Sequence, residues 1–186
     1  RNRAEQAPAG GKEDTQTYQL IRARVQLYYE ETSGLAAKRF RAQLDDNPKN
    51  DVARYGLAIA QIKGSQFNDA RETLKPLLAK APNEVIYNLA QIELDMDSNR
   101  LADAQSRVER MIAQYPGNYP LNQVRVDLLL KQNRAADAEK ALEGLLKSRP
   151  DDPDVWYQVA ETRGLSGNII GLHQARAEYF ALVGDY

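Results

Sequence analysis

DAQSRVERMIAQYP, residues 103–116, holds the pattern on which the fold turns. Counting back from Pro116, residues Ile112, Val108 and Ala104 fall four apart, and Asp103 precedes the alanine. A step of four keeps side chains near one face of an α-helix, and a proline just past the last apolar residue stops it. The pattern recurs every 34 residues, with prolines at 48, 82, 116 and 150 and alanines at 36, 70, 104 and 138. Between them stand Phe40, Leu74, Val108 and Leu142, then Leu44, Leu78, Ile112 and Leu146, while Asp69, Asp103 and Asp137 precede three of the alanines. A period of this length marks a chain built from repeated supersecondary units.

The other half of each period is helical too. VARYGLAIAQIK (52–63), VIYNLAQIELDM (85–96), PLNQVRVDLLLK (120–131) and DVWYQVAETRGL (154–165) carry apolar residues at spacings of three and four. One frame position between the two halves holds Ser65, Asn99, Asn133 and Gly167, and Gly and Asn tolerate the left-handed backbone that ends a helix. Each unit is therefore two helices whose apolar faces are buried by stacking on neighbouring units. The expected helices are 14–31, 35–46, 50–64, 67–80, 84–97, 101–114, 119–132, 135–147, 153–166 and 169–183, each boundary good to about 2–4 residues. The fold class is all-α, an α-solenoid of about ten helices. Pro76 falls inside one of them, removes the bond to the carbonyl of Glu72 and predicts a local kink.

Composition narrows the function. The 186 residues are 42% apolar and 27% charged, enough for a sizeable core, and a net charge of −1 offers no basic field for nucleic acid or anionic lipid. No apolar run is long enough to cross a membrane, so direct membrane insertion is not expected. Cysteine is absent, which excludes disulfides, thiolate metal sites and a thiol nucleophile.

With Trp156, Ala160 and Gly167 in the last full frame, Leu57, Ala58 and Ala70 in the second, and the prolines throughout, the chain resembles the tetratricopeptide repeat family over about residues 15–186. It departs at Arg24, where a small residue is usual, and at Leu172, where alanine is expected, so the end units should pack less regularly. The whole chain is also similar to the C-terminal repeat domain of the β-barrel assembly-enhancing family of periplasmic zinc metallopeptidases of Gram-negative bacteria. That resemblance implies that residues 1–13 are the tail of a preceding protease domain and a linker, and that 14–186 are a repeat solenoid cut short at its C-terminus. It further implies a periplasmic address and protein partners, namely outer-membrane β-barrel proteins and the machinery that assembles them. The alternative is a stand-alone scaffold or co-chaperone binding a short peptide in a concave groove.

No catalytic residue, cofactor or metal ligand is expected in this stretch. A zinc peptidase needs two imidazoles one helical turn apart with a glutamate between, and His173 is the lone histidine. Zinc belongs, by the resemblance, to the absent protease domain. GLSGNIIG (164–171) lacks the strand and the GK[ST] ending of a phosphate loop and reads as a turn.

In tetratricopeptide arrays the first helix of each unit lines the concave side. Carrying those family positions across places Tyr18, Ile21, Val25, Tyr28 and Tyr29, then Val52, Tyr55, Ile59, Ile62 and Lys63, on an apolar, aromatic half of a groove. Glu93, Met96 and Asp97, then Asp127 and Lys131, then Asp154, Tyr157 and Glu161 form an acidic half. Glu93, Asp127 and Glu161 recur 34 residues apart and should stack as like charges roughly 10 Å apart. Arg125 and nearby lysines could answer them, or the charges could be a solvated face, and the tyrosines could be packing residues. A ladder of this sign argues against gripping a C-terminal carboxylate.

YFALVGDY (179–186) reads as a helix running into a turn at Gly184. The expectation is that a further amphipathic helix follows and that Phe180, Leu182 and Val183 are otherwise left uncovered.

Overall fold

The computed structural model describes residues 15–29 and 32–184. They contain ten α-helices and no strand: α1 (Gln16–Tyr29), α2 (Ser33–Asp46), α3 (Asp51–Lys63), α4 (Phe67–Lys80), α5 (Val85–Asp97), α6 (Leu101–Gln114), α7 (Tyr119–Lys131), α8 (Ala135–Ser148), α9 (Pro153–Leu165) and α10 (Ile169–Val183). The expected linker at 1–13 lies outside the described residues, as do 14, 30 and 31 at the edges of the first helix. α2 begins two residues earlier than the apolar pattern because Thr32 caps it, its hydroxyl accepting from the Leu35 N–H at 3.3 Å. The helices fall into two compact units, one ending at Ala81 and one beginning at Pro82.

The turn inside each helix pair is the one that Ser65, Asn99, Asn133 and Gly167 foretell. All four have positive φ, at 56°, 58°, 59° and 76°. The next residue, Gln66, Arg100, Arg134 or Asn168, returns its N–H to the carbonyl five residues back, at 2.8, 2.7, 2.9 and 2.9 Å. That closes the last turn of the first helix and satisfies a carbonyl left over at its end.

A second recurring device, which the periodicity does not announce, joins each proline to the helix that follows it. The proline carbonyl accepts a side-chain hydrogen bond from the residue six positions on. Arg54 donates to Pro48 at 2.7 Å, Asn88 to Pro82 at 2.9 Å, Asn122 to Pro116 at 3.0 Å and the Trp156 indole to Pro150 at 2.7 Å. Three kinds of side chain, arginine, asparagine twice and tryptophan, thus perform one task.

Packing follows the repeat with one correction. Ala36, Ala70, Ala104 and Ala138 are fully buried, and so are Leu74, Val108 and Leu142, with Phe40 nearly so. Leu44, Leu78, Ile112 and Leu146 are half-buried, whereas Leu77, Met111 and Leu145, one residue earlier in the frame, are buried. Seven residues return a helix to within about 20° of its starting direction. Eight overshoot by about 80°, so i+7 completes the stripe and i+8 lies on its rim. In the second unit Val108 and Met111 join Ile92, Leu121 and Leu128 in one cluster. Leu142 and Leu145 join Val126, Leu129, Val155, Val159 and Ala175 in the next.

The two departures from the family pattern are compensated locally. Arg24 is exposed and its guanidinium reaches the Tyr55 hydroxyl at 3.4 Å, while α1 buries Leu20, Ala23 and Leu27. The Leu172 methyl lies 2.9 Å from where a Cβ on Gly164 would stand, so the glycine makes room for the larger side chain. α4 runs through Pro76 without a break, and both Pro76 and Glu72 are exposed, so water can serve the carbonyl that the proline leaves free. α10 ends at Gly184, whose φ is 78° and whose N–H donates to the Phe180 carbonyl at 3.0 Å. Phe180, Leu182 and Val183 remain well exposed on α10, as expected.

Candidate functional site

In the first unit the family positions of α1 form an open apolar stripe. Tyr18, Ile21, Val25, Tyr28 and Tyr29 recur at helical spacing on one side, and Tyr28 and Tyr29 are 78% and 80% exposed. Their rings meet edge to face with centroids 5.7 Å apart. The Lys63 ammonium lies 5.6 Å from the centroid of the Tyr28 ring and donates to the Leu27 carbonyl at 3.2 Å, which fixes the end of α1 against α3.

The same frame positions one repeat later do not extend that stripe. Tyr55, Ile59 and Ile62 are 0, 1 and 2% exposed and belong to the core of the first unit. α3 has α1, α2 and α4 packed against it, so the face that is open on α1 is covered on α3. The expectation that these three residues offer a surface to a partner is corrected accordingly.

In the second unit the acidic residues are placed on α5, α7 and α9, and each is handled differently. Glu93 is half-buried and engaged by other groups, and Met96 is half-buried against the core. Asp97 pairs with Lys131 at 3.3 Å, a contact between residues 34 apart on α5 and α7. Asp127 keeps an exposed surface, yet protein crowds it, and desolvation holds its carboxyl above the ordinary carboxylate value. Desolvation, and not repulsion by the other acids, is the cause of that shift. Glu161 is exposed with the Arg176 guanidinium 4.0 Å away, and the exposed Tyr157 packs edge to face on Tyr179 at 5.7 Å. Arg125 does not answer the acidic face; it lies against Glu109 on α6 at 3.1 Å.

His173 is exposed on α10. Among the described residues no three His, Cys, Asp or Glu side chains are grouped to hold a metal ion, and no helix is long and apolar enough to cross a membrane.

A family model described as tetratricopeptide repeat matches residues 32–92 and 95–161, together well over half of the chain. The chain belongs to the tetratricopeptide repeat family. A search of curated proteins found no significant match. Among solved structures, the chain is similar to a thermophilic tetratricopeptide protein of Thermus thermophilus, with TM-score 0.71 and 23% identity over 92% of this chain and 93% of that one. It is similar to a tetratricopeptide repeat protein from Parabacteroides merdae with TM-score 0.73 and 15% identity, over 91% of this chain and 65% of that one. It is also similar to PilW, a type IV pilus biogenesis factor, with TM-score 0.68 and 21% identity over 92% and 80%. At these identities the likeness establishes the fold. A tetratricopeptide domain is a scaffold that binds other proteins, and that role is assigned to this chain.

Proposed function

We propose that this tetratricopeptide domain recruits outer-membrane β-barrel proteins, and the machinery that assembles them, to a periplasmic zinc metallopeptidase. The domain itself catalyses nothing in this reading, and the zinc is held by a protease domain of the same polypeptide. The address and the partners rest on the resemblance of the whole chain to the repeat domain of the assembly-enhancing metallopeptidases. The observation that carries client binding is the α1 stripe, where Tyr18, Ile21, Val25, Tyr28 and Tyr29 leave apolar and aromatic surface in water. Unfolded barrel proteins present strands that alternate apolar and polar side chains, and an exposed aromatic row gives such a segment stacking and apolar contact without demanding one sequence. The test is photo-crosslinking from position 28 to an unfolded barrel protein, alone and with Ile21→Glu. Both residues are exposed, so circular dichroism should be unchanged while the adduct falls at least about fivefold, a loss of about 1 kcal/mol in capture. Undiminished crosslinking with Ile21→Glu would remove α1 as the client surface.

A further inference from the structure

The turn between α9 and α10 departs from the other three turns that lie inside helix pairs. GLSGNIIGL (164–172) carries no charge, whereas the same frame in the earlier units, 62–70, 96–104 and 130–138, carries two or three charged residues each time. Leu165 stands where Lys63, Asp97 and Lys131 stand, and Ile170 where Asn68, Ala102 and Ala136 stand. Those six residues are all exposed, so stacking of repeats buries neither position. In the fourth turn the two positions hold large aliphatic side chains that are 71 and 76% exposed, with Ile169 beside them at 58%. Packing gives no reason for apolar residues there.

The backbone of this tip is already paired. Ser166, Gly167, Asn168 and Ile169 donate their N–H groups to the carbonyls of Thr162, Gly164, Arg163 and Gly167 at 3.0, 3.1, 2.9 and 3.0 Å. Asn168 then accepts twice, from Gly171 on its side-chain oxygen and from Leu172 on its carbonyl, both at 2.9 Å. An apolar medium penalises N–H groups left unmet, so a tip closed in this way can enter one at small cost. The neighbouring cations are engaged as well. Arg163 meets Glu139 at 2.7 Å and the Gly171 carbonyl at 3.2 Å, while Lys131 and Arg134 of the preceding turn pair with Asp97 and Asp137. The tip therefore offers apolar contact and no ionic one.

Its three aliphatic residues stand around the tip and not on one face. At the position of Leu165, Lys63 and Lys131 reach back to the preceding first helix, whereas the position of Ile170 opens to solvent at the start of each second helix. A rigid protein pocket would have to enclose both sides, and the tip has none of the aromatic or arginine anchors that dominate protein interfaces. Acyl chains, being fluid, close around such a shape.

We propose that this tip dips into the surface of a zwitterionic phospholipid bilayer, with Leu165, Ile169 and Ile170 at the boundary between headgroups and acyl chains. It touches one leaflet and crosses nothing, since among the described residues no helix is long and apolar enough to span a membrane. The site is separate from the α1 stripe and independent of the client reading. Flotation of the full 186-residue chain with phosphatidylcholine vesicles tests it. The chain is expected in the vesicle fraction with an association constant on the order of 10⁴ M⁻¹, near that of a single myristoyl chain. Low and high salt should give the same partitioning, because no ion pair with lipid is involved. Leu165→Lys with Ile170→Ala copies Lys131 and Ala136 of the preceding turn, so the fold should accept it and circular dichroism should be unchanged. That variant should partition at least about tenfold less, roughly the factor that transfer of one large aliphatic side chain supplies. Leu35→Lys, which removes an exposed leucine from α2, should leave partitioning unchanged. Absence from the vesicle fraction, undiminished partitioning of the double variant, an equal loss in Leu35→Lys, or partitioning that needs anionic lipid and fades with salt would each overturn the proposal. So would a double variant that alters only self-association, because the tip would then join two copies of the chain.

Discussion

Asn88 and Asn122 occupy the same frame position one repeat apart, and replacing each with alanine should have very different consequences. Asn88 has no exposed surface and makes four hydrogen bonds. Its amide donates to the carbonyls of Pro82 at 2.9 Å and Glu84 at 2.8 Å, and its oxygen accepts from Arg107 at 3.0 Å and Arg110 at 3.3 Å. Asn122 is half-exposed and makes the two donor contacts alone, to Pro116 at 3.0 Å and Asn118 at 2.9 Å. Each neutral bond contributes about 1 kcal/mol and a bond from a guanidinium about 1.5–3 kcal/mol. Arg110 is exposed and can take up water, but desolvation and the nearby Arg110 already disfavour the charge on Arg107, whose Nε is buried without a partner. Asn88→Ala is therefore expected to cost about 3–4 kcal/mol and Asn122→Ala, where water replaces the lost contacts, about 1 kcal/mol. Urea denaturation of both variants at neutral pH measures the difference as a shift in midpoint at similar slope. Costs agreeing within about 0.5 kcal/mol would show that burial and the arginine contacts add nothing to the shared task, and the reasoning would fail.

Gly56→Ala should destabilise the first unit by about 1–3 kcal/mol despite the better helix propensity of alanine, because the new Cβ would stand 2.4 Å from the Phe40 ring. Adding Phe40→Leu should recover part of the loss in the same denaturation assay. Pro76→Ala should stabilise by about 1–2 kcal/mol: it restores a helical N–H at an exposed site, and the greater freedom of the unfolded chain offsets part of the gain. Asp127→Asn should raise stability at pH 7. The folded carboxyl titrates above its unfolded value, so the folded state binds more protons in the window above pH 3.8 and the native aspartate is a liability there. As pH falls through that window toward 3.8, the aspartate gains on the asparagine variant; a difference that stayed constant from pH 7 to pH 3 would show that the charge is not the cause.

Eight of the ten helices, α2 to α9, were legible because the repeat supplies four copies of each signal, so the prolines and the Ser65, Asn99, Asn133 and Gly167 positions stand out against changing neighbours, while α1 and α10 were read from apolar spacing and frame. The site was less legible. Ile21 and Tyr55, Val25 and Ile59, and Tyr28 and Ile62 are pairs at one frame position, yet the first of each is exposed and the second buried. Periodicity reports the direction in which a side chain points from its own helix, whereas burial depends on whether another helix stands there. The proline-carbonyl contacts were hidden for a different reason: the arginine, the two asparagines and the tryptophan at positions 54, 88, 122 and 156 have in common across the four only an N–H on a side chain of sufficient reach.

Those four contacts to proline also bear on how such a chain can change over time. Each one fastens a loop to the helix directly after it, with both ends inside seven consecutive residues, so the joint between one helix pair and the next is specified locally and separately each time. A repeat can then be duplicated, lost or moved as a cassette that brings its own fastener, and a mutation that spoils one joint leaves the instructions for the others intact. What is inherited at that position is a proton within reach of an oxygen, and the amino acid that delivers it is free to drift.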